Sequence, residues 1–183
     1  MAKARKAVVF DPAAPELDSG GLEDFVRAVR KAAGLRGEVS VLITSDLMIR
    51  RLNSRFRGKH SATDVLSFPA AESNGFTGDI AISLDIASRN ARRLGHSVTE
   101  EIRILILHGI LHLAGYDHED DQGEMEEKET ELREKFGLST GLIERSVAQE
   151  NSSSVAGRPA IRRRAATNSG TRRTAHNPRR SRT

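Results

Sequence analysis

Three of the chain's six histidines fall at His108, His112 and His118, inside the run LHGILHLAGYDHED over residues 107–120. His108 and His112 are four apart, so on a helix they share one face a single turn apart, and their imidazole nitrogens can converge on one ion. Gly115 can end that helix and let the chain turn back. His118, six residues after His112, then lies far enough past the turn to close on the same point. Three neutral imidazoles with a fourth position open form the ligand set of a catalytic zinc. Structural zinc usually closes its shell with thiolates, and this chain has no cysteine. One Zn2+ on His108, His112 and His118 is therefore expected. The competing account is a group of core histidines, but each buried N–H or lone pair then needs its own hydrogen-bond partner.

The same offsets occur in the metzincin protease motif H-E-x-x-H-x-x-G-x-x-H. Here its second position is Gly109, where those proteases carry the Glu that activates water and serves the amine leaving group. Without that group amide hydrolysis is disfavoured. Phosphodiester cleavage is easier to reconcile, because an Arg or Lys and a metal can both stabilise charge on phosphoryl oxygens.

A cation for that purpose is available in RRLNSRFRGKHSATDVLSF, which carries Arg50, Arg51, Arg55, Arg57, Lys59 and His60. Arg57 sits near a helix end, where it could reach over a cleft. Spacing alone leaves open whether it meets a phosphate or simply complements the helix dipole. Arg89, Arg92 and Arg93 form a second basic spot, read as surface charge. Asp117, next to His118, could orient a ligand imidazole or cap a turn. Tyr116 reads as packing.

The elements that must position these residues follow from periodicity and punctuation. KAVVF is a short strand. LEDFVRAVRKAAG has Leu22, Phe25, Val26 and Val29 at helical spacing and ends at Gly34. EVSVLIT is a strand. Ser45 can cap the helix DLMIRRLNSRFR, with Leu47, Ile49 and Leu52 facing inward. TDVLSF is a strand stopped by Pro69, SNGFTG a turn-rich connection, and DIAIS a buried strand. LDIASRNARRLG is a helix ending at Gly95. Ser97 to Glu100 matches a capping box ahead of EEIRILILHGILHLAG, a helix apolar almost all round and hence expected to be buried. A charged segment over 119–135, with nine acids and three bases, suits a surface helix packed through Met125 and Leu132. STGLIERSVAQE reads as a short last helix. Alternating strands and helices argue for a four-stranded sheet with helices packed on it.

Composition divides the chain. Residues 151–183 hold nine Arg, no Lys and no acid, with almost no large apolar residue, so they are expected to be a basic disordered tail. The rest, residues 1–150, keeps 20 bases against 25 acids, a net charge of −5. The overall charge of +4 is thus owed to the tail, and any argument for nucleic acid must be local. The basic start MAKARKAVVFDP has an apolar run of only four residues, too short for a signal peptide, and no stretch is long enough to span a membrane. A soluble, cytoplasmic protein with no membrane partner is expected.

HGILHLAGYDH, with upstream RLNSRFRGKHSATDVLSFP and GDIAIS in the same order, resembles the bacterial YbeY endoribonucleases over roughly residues 35 to 135. The resemblance implies an α+β fold, a small mixed sheet with helices around it, as a single domain ahead of the tail. It implies zinc ligands at His108, His112 and His118 and a functional arginine at Arg57. It also implies a single-strand-specific endoribonuclease acting on RNA, in 16S rRNA 3′-end maturation and ribosome quality control, with the ribosome or its small subunit as partner. The alternatives are a non-catalytic ribosome assembly factor with structural zinc and, against Gly109, a metalloprotease. The tail lies outside the resemblance. It either adds salt-sensitive contact with rRNA phosphates or is solvated with no specific role.

Overall fold

The computed structural model describes residues 7–12, 16–73, 75–117 and 121–139, without the side chains of residues 71–73. In chain order the elements are β1 (Val8–Asp11), α1 (Ser19–Ala32), β2 (Glu38–Thr44), α2 (Asp46–Arg57), β3 (Val65–Ser73), β4 (Phe76–Ser83), α3 (Leu84–Leu94), α4 (Val98–Leu113) and α5 (Glu124–Phe136). The strands form one sheet in the order β1-β2-β4-β3, with β1, β2 and β4 parallel and β3 antiparallel to β4. The expected α+β architecture with a mixed four-stranded sheet is thus the one observed.

Pleating gives the sheet two different faces. Val39, Val41 and Ile43 of β2 and Ile80 and Ile82 of β4 join the main core with Leu22, Phe25, Val26 and Val29 of α1 and most of α4. From Ile104 to Leu111 every residue of α4 is buried, which a helix without a polar face requires. Each Leu or Ile removed from water there contributes about 1.5–3 kcal/mol, so α4 is held rigidly. The opposite face carries Leu66, Ala81 and Phe68, covered among the described residues by Ile49 and Leu52 of α2 and by Ala62. That cluster is small, and α2 leaves part of the face open.

Caps behave as their chemistry dictates. Ser45, Ser83 and Ser97 accept from Met48, Ile86 and Glu100 N–H groups at 3.4, 3.0 and 3.1 Å. The capping box is half realised, since the Glu100 carboxylate accepts from the Ser139 N–H at 3.1 Å instead of returning to its own cap.

Three expectations are corrected. Pro69 does not stop its strand: β3 continues to Ser73 and pairs Pro69 with Gly78, because an edge strand tolerates a residue without an N–H. SNGFTG is mostly strand, since β4 begins at Phe76. On α2, Leu47 is exposed and not inward, whereas Ile49 is buried and Leu52, half-buried, packs on the same cluster as expected; Asn53 is buried too, and its Nδ2 donates to the Ser61 carbonyl at 2.8 Å. Among the described residues no helix is long and apolar enough to cross a membrane. The proposed last helix, but for Ser139, and the basic tail over 151–183 lie outside the described residues.

Candidate metal centre and the cleft beside it

Helix α4 brings His108 and His112 together as their spacing requires. Their Nε2 atoms face each other at 3.1 Å, with the rings edge to face at 81°. Each ring is fixed from its other nitrogen. The Nδ1–H of His108 donates to the Glu129 carboxylate at 3.2 Å, and that of His112 to the Tyr116 carbonyl at 3.0 Å. Acceptors at both Nδ1 positions select the tautomer that leaves the Nε2 atoms as lone pairs. Two imidazoles on a tetrahedral ion with metal–nitrogen bonds near 2.0–2.1 Å have nitrogens about 3.3 Å apart. The observed pair fits that span. A carboxylate or carbonyl behind each ring is also the usual support of a metal-binding imidazole.

The chain beyond α4 turns as expected. Gly115 has φ +92°, a left-handed conformation that a side chain would strain, and the Tyr116 N–H returns to the Leu111 carbonyl at 3.1 Å. That return aims the Tyr116 carbonyl at His112. His118 lies outside the described residues, and among those described no cluster of three metal-binding side chains forms. Asp117 is exposed, and its carbonyl takes the Asp121 N–H at 2.9 Å; Glu129 and the Tyr116 carbonyl stand behind the two described histidines.

Glu129 is the residue that sequence reasoning missed. Met125, Glu129 and Leu132 stand at helical spacing and all three are buried, Glu129 at 2% exposure. An acid on the apolar stripe of an otherwise solvated helix was the available signal.

Gly109 is explained by packing. A Cβ there would stand 3.0 Å from Ile80 Cδ1 and 3.2 Å from Ser67 Oγ, so the position faces the sheet and a side chain would fit only if these neighbours gave way by a few tenths of an ångström. The Ser67 hydroxyl donates to the Gly109 carbonyl at 3.2 Å. On the other side, Arg57 Nη2 donates to the Ser67 carbonyl at 3.3 Å. Ser67 of the edge strand therefore connects Arg57 to the histidine helix, a link that no local motif announces.

Arg57 lies on the rim of a cleft of about 720 Å3 between α2 and the open sheet face, lined by Leu42, Leu52, Phe56, Phe68, Asp79 and Ala81 among others. A second hollow of about 450 Å3 on α2 is lined by Arg50, Arg51, Ser54, Arg55 and His60. In the other basic spot, Arg89 pairs with Asp46 at 3.0 Å, in keeping with surface charge.

Comparison with known proteins bears on this site directly. The family model described as Endoribonuclease YbeY matches residues 18–137. The protein named Endoribonuclease YbeY of Koribacter versatilis is 63% identical over 122 residues, covering 67% of this chain and 80% of its own length. The one of Solibacter usitatus is 48% identical over 139 residues, 76% of this chain and 93% of that protein. The solution structure of TM1509 from Thermotoga maritima aligns with a TM-score of 0.48 and 31% identity, over 79% of this chain and 90% of that one. With three of its four strands and the histidine helix inside the matched span, the chain belongs to the YbeY endoribonuclease family, nucleases of the hydrolase class.

Proposed function

We propose that this chain is a zinc-dependent endoribonuclease that cuts single-stranded RNA, with His108, His112 and His118 holding one Zn2+ and Arg57 meeting the scissile phosphate. The observation that carries the reading is the pair of Nε2 atoms 3.1 Å apart, each ring fixed through its Nδ1. When bound, zinc supplies a Lewis acid for a phosphoryl oxygen and lowers the pKa of water.

The chain's own residues do the rest. Glu129 and the Tyr116 carbonyl hold the two rings in one tautomer and direction. Arg57, a permanently charged guanidinium, is held at the cleft rim by the neutral Ser67 carbonyl. A phosphoryl oxygen is a stronger, charge-assisted acceptor, so Arg57 can exchange one for the other and stabilise charge that grows during cleavage. Gly109 supplies no base, and a side chain at that position would be directed at Ile80 and Ser67 of the sheet. That supports a phosphodiester over a peptide substrate.

The substrate we infer is rRNA, at the 16S 3′ end and in ribosome quality control. The small ribosomal subunit is the partner and the cytoplasm the compartment. The endoribonuclease names of the relatives support RNA as the class of substrate.

Metal analysis of the purified full chain, joined to cleavage of single-stranded RNA with and without chelator, tests the reading. Wild type is expected to carry one zinc and to cut. His112→Ala loses metal and cleavage, Arg57→Glu keeps metal and loses cleavage, and removal of residues 151–183 raises the KM. A His112→Ala protein that cuts RNA at the wild-type rate would overturn it.

A further inference from the structure

We infer that the cleft between α2 and the open sheet face is a nucleobase pocket, in which Phe56 stacks on one unpaired base of the RNA and Asp79 reads that base's N–H groups. The inference rests on the endoribonuclease reading and adds to it a residue-level source of sequence preference.

The first observation is Phe56 itself. A large apolar ring on a charged helix is expected to turn inward, yet Phe56 is 58% exposed at the cleft wall. It is held there by an edge-on contact with Phe68, ring centres 5.2 Å apart, and by Arg55, whose guanidinium carbon lies 5.3 Å from the ring centre. The ring is therefore fixed in direction with much of its surface open. Such a ring is the platform on which single-stranded nucleic acid stacks its bases, with arginine beside it to meet the backbone.

The second observation is the chemistry of the cleft. Leu42, Leu52, Phe68 and Ala81 make an apolar enclosure, and about 720 Å3 lies within the usual range for small-molecule sites. Asp79 stands directly across the β3–β4 ladder from Phe68 and is exposed. An ionised carboxylate only accepts hydrogen bonds. A free anion, a second phosphate or a carboxylate ligand is thus unwelcome here, whereas a base offering N–H groups is suited. Guanine presents two adjacent donors, N1–H and N2–H, to the two carboxylate oxygens. Cytosine and adenine present one amino group, and uracil only its N3–H.

The third observation is charge placement. Arg57 stands on the rim, and the hollow lined by Arg50, Arg51, Ser54, Arg55 and His60 lies on the same helix. Cations thus lie next to an apolar slot, which suits a nucleotide, whose base hangs from a sugar that carries phosphate on the backbone. An apolar peptide side chain would use the slot but not the neighbouring arginines.

The test uses the full-length, metal-loaded protein and six-nucleotide RNAs carrying one 2-aminopurine, whose fluorescence is quenched on stacking. Signals are read in the first seconds, before cleavage, alongside steady-state cleavage of RNAs differing at one base. Wild type is expected to quench the probe and to favour guanine over uracil at the position read. Phe56→Leu, which keeps an apolar side chain against Phe68, should abolish the quench and weaken binding roughly tenfold, and Phe56→Trp should restore both. Asp79→Asn should level the guanine preference without changing metal content. If wild type cuts RNA and Phe56→Leu binds and quenches as wild type does, the pocket is refuted while the nuclease reading stands. If wild type neither binds nor cuts single-stranded RNA, the nuclease reading itself fails. Release of the probe by an aromatic dipeptide but not by guanosine monophosphate would assign the cleft to a protein segment and overturn the inference.

Discussion

Glu129 of α5 accepts a hydrogen bond from His108 of α4 at 3.2 Å, with both side chains buried. The contact ties the acidic surface helix to the histidine pair and makes α5 part of the proposed metal centre. Glu129→Gln keeps the size of the side chain but replaces a carboxylate by an amide that can turn either its oxygen or its NH2 toward Nδ1. Zinc affinity is expected to fall about 10–100-fold. Competition with a chromophoric chelator measures it, and unchanged circular dichroism would show that the fold is intact.

His112→Ala removes one of the two facing nitrogens while leaving the Tyr116 turn in place. In wild type, zinc at one hundred times its dissociation constant should stabilise the fold by about 2.7 kcal/mol, since it binds only the native state. A melting curve with and without zinc should therefore shift for wild type and stay put for His112→Ala. An equal shift in both would place the bound metal elsewhere.

Much of this arrangement was legible in the chain because it is local. A four-residue spacing on a helix puts two histidines on one face, Ser97 starts that helix, and Gly115 ends it. The same locality made α1 readable from Leu22, Phe25, Val26 and Val29. What stayed hidden depends on partners distant in sequence. Glu129 looked like one acid among nine until α5 packed on α4. Pro69 reads as a stop unless it is known that β3 lies at the edge of the sheet. Leu47 was misplaced because α2 covers a small apolar cluster, so its inward face is narrow, holding Ile49 and Leu52 and including Asn53. The meaning of Gly109 changed most. Its lack of a side chain suggested a missing base, whereas its carbonyl and α-carbon lie against Ser67 and Ile80, so packing also favours glycine.

Gly109→Ala tests that packing. The added methyl meets Ile80 and the Ser67 hydroxyl at 3.0–3.2 Å, closer than ordinary contact. Overpacking of this kind costs about 1–3 kcal/mol, which over most of that range exceeds the usual helix gain of roughly 1 kcal/mol for Gly to Ala. Denaturant unfolding should show a net loss of stability. Gly109→Glu should be more destabilised still and gain no peptidase activity, because its side chain would point at the sheet and not at the histidines.

In the proposed function, Arg57 separates binding of metal from handling of phosphate. It touches the edge strand through the Ser67 carbonyl and none of the described histidine supports, so Arg57→Ala should leave zinc content and melting temperature near wild type. Loss of a cation that stabilises transition-state charge costs about 10²–10³-fold in rate. The expected result is a fall of that order in kcat with a smaller rise in KM. Arg57→Lys should recover only part of it, since an ammonium keeps the charge but not the two-pronged donor geometry of a guanidinium. If Arg57→Ala instead raised KM alone, the residue would be a binding contact along the RNA, and the charge that develops at the scissile phosphate would have to be met elsewhere. Single-turnover cleavage at saturating enzyme distinguishes the two, because it reads the chemical step without the binding equilibrium.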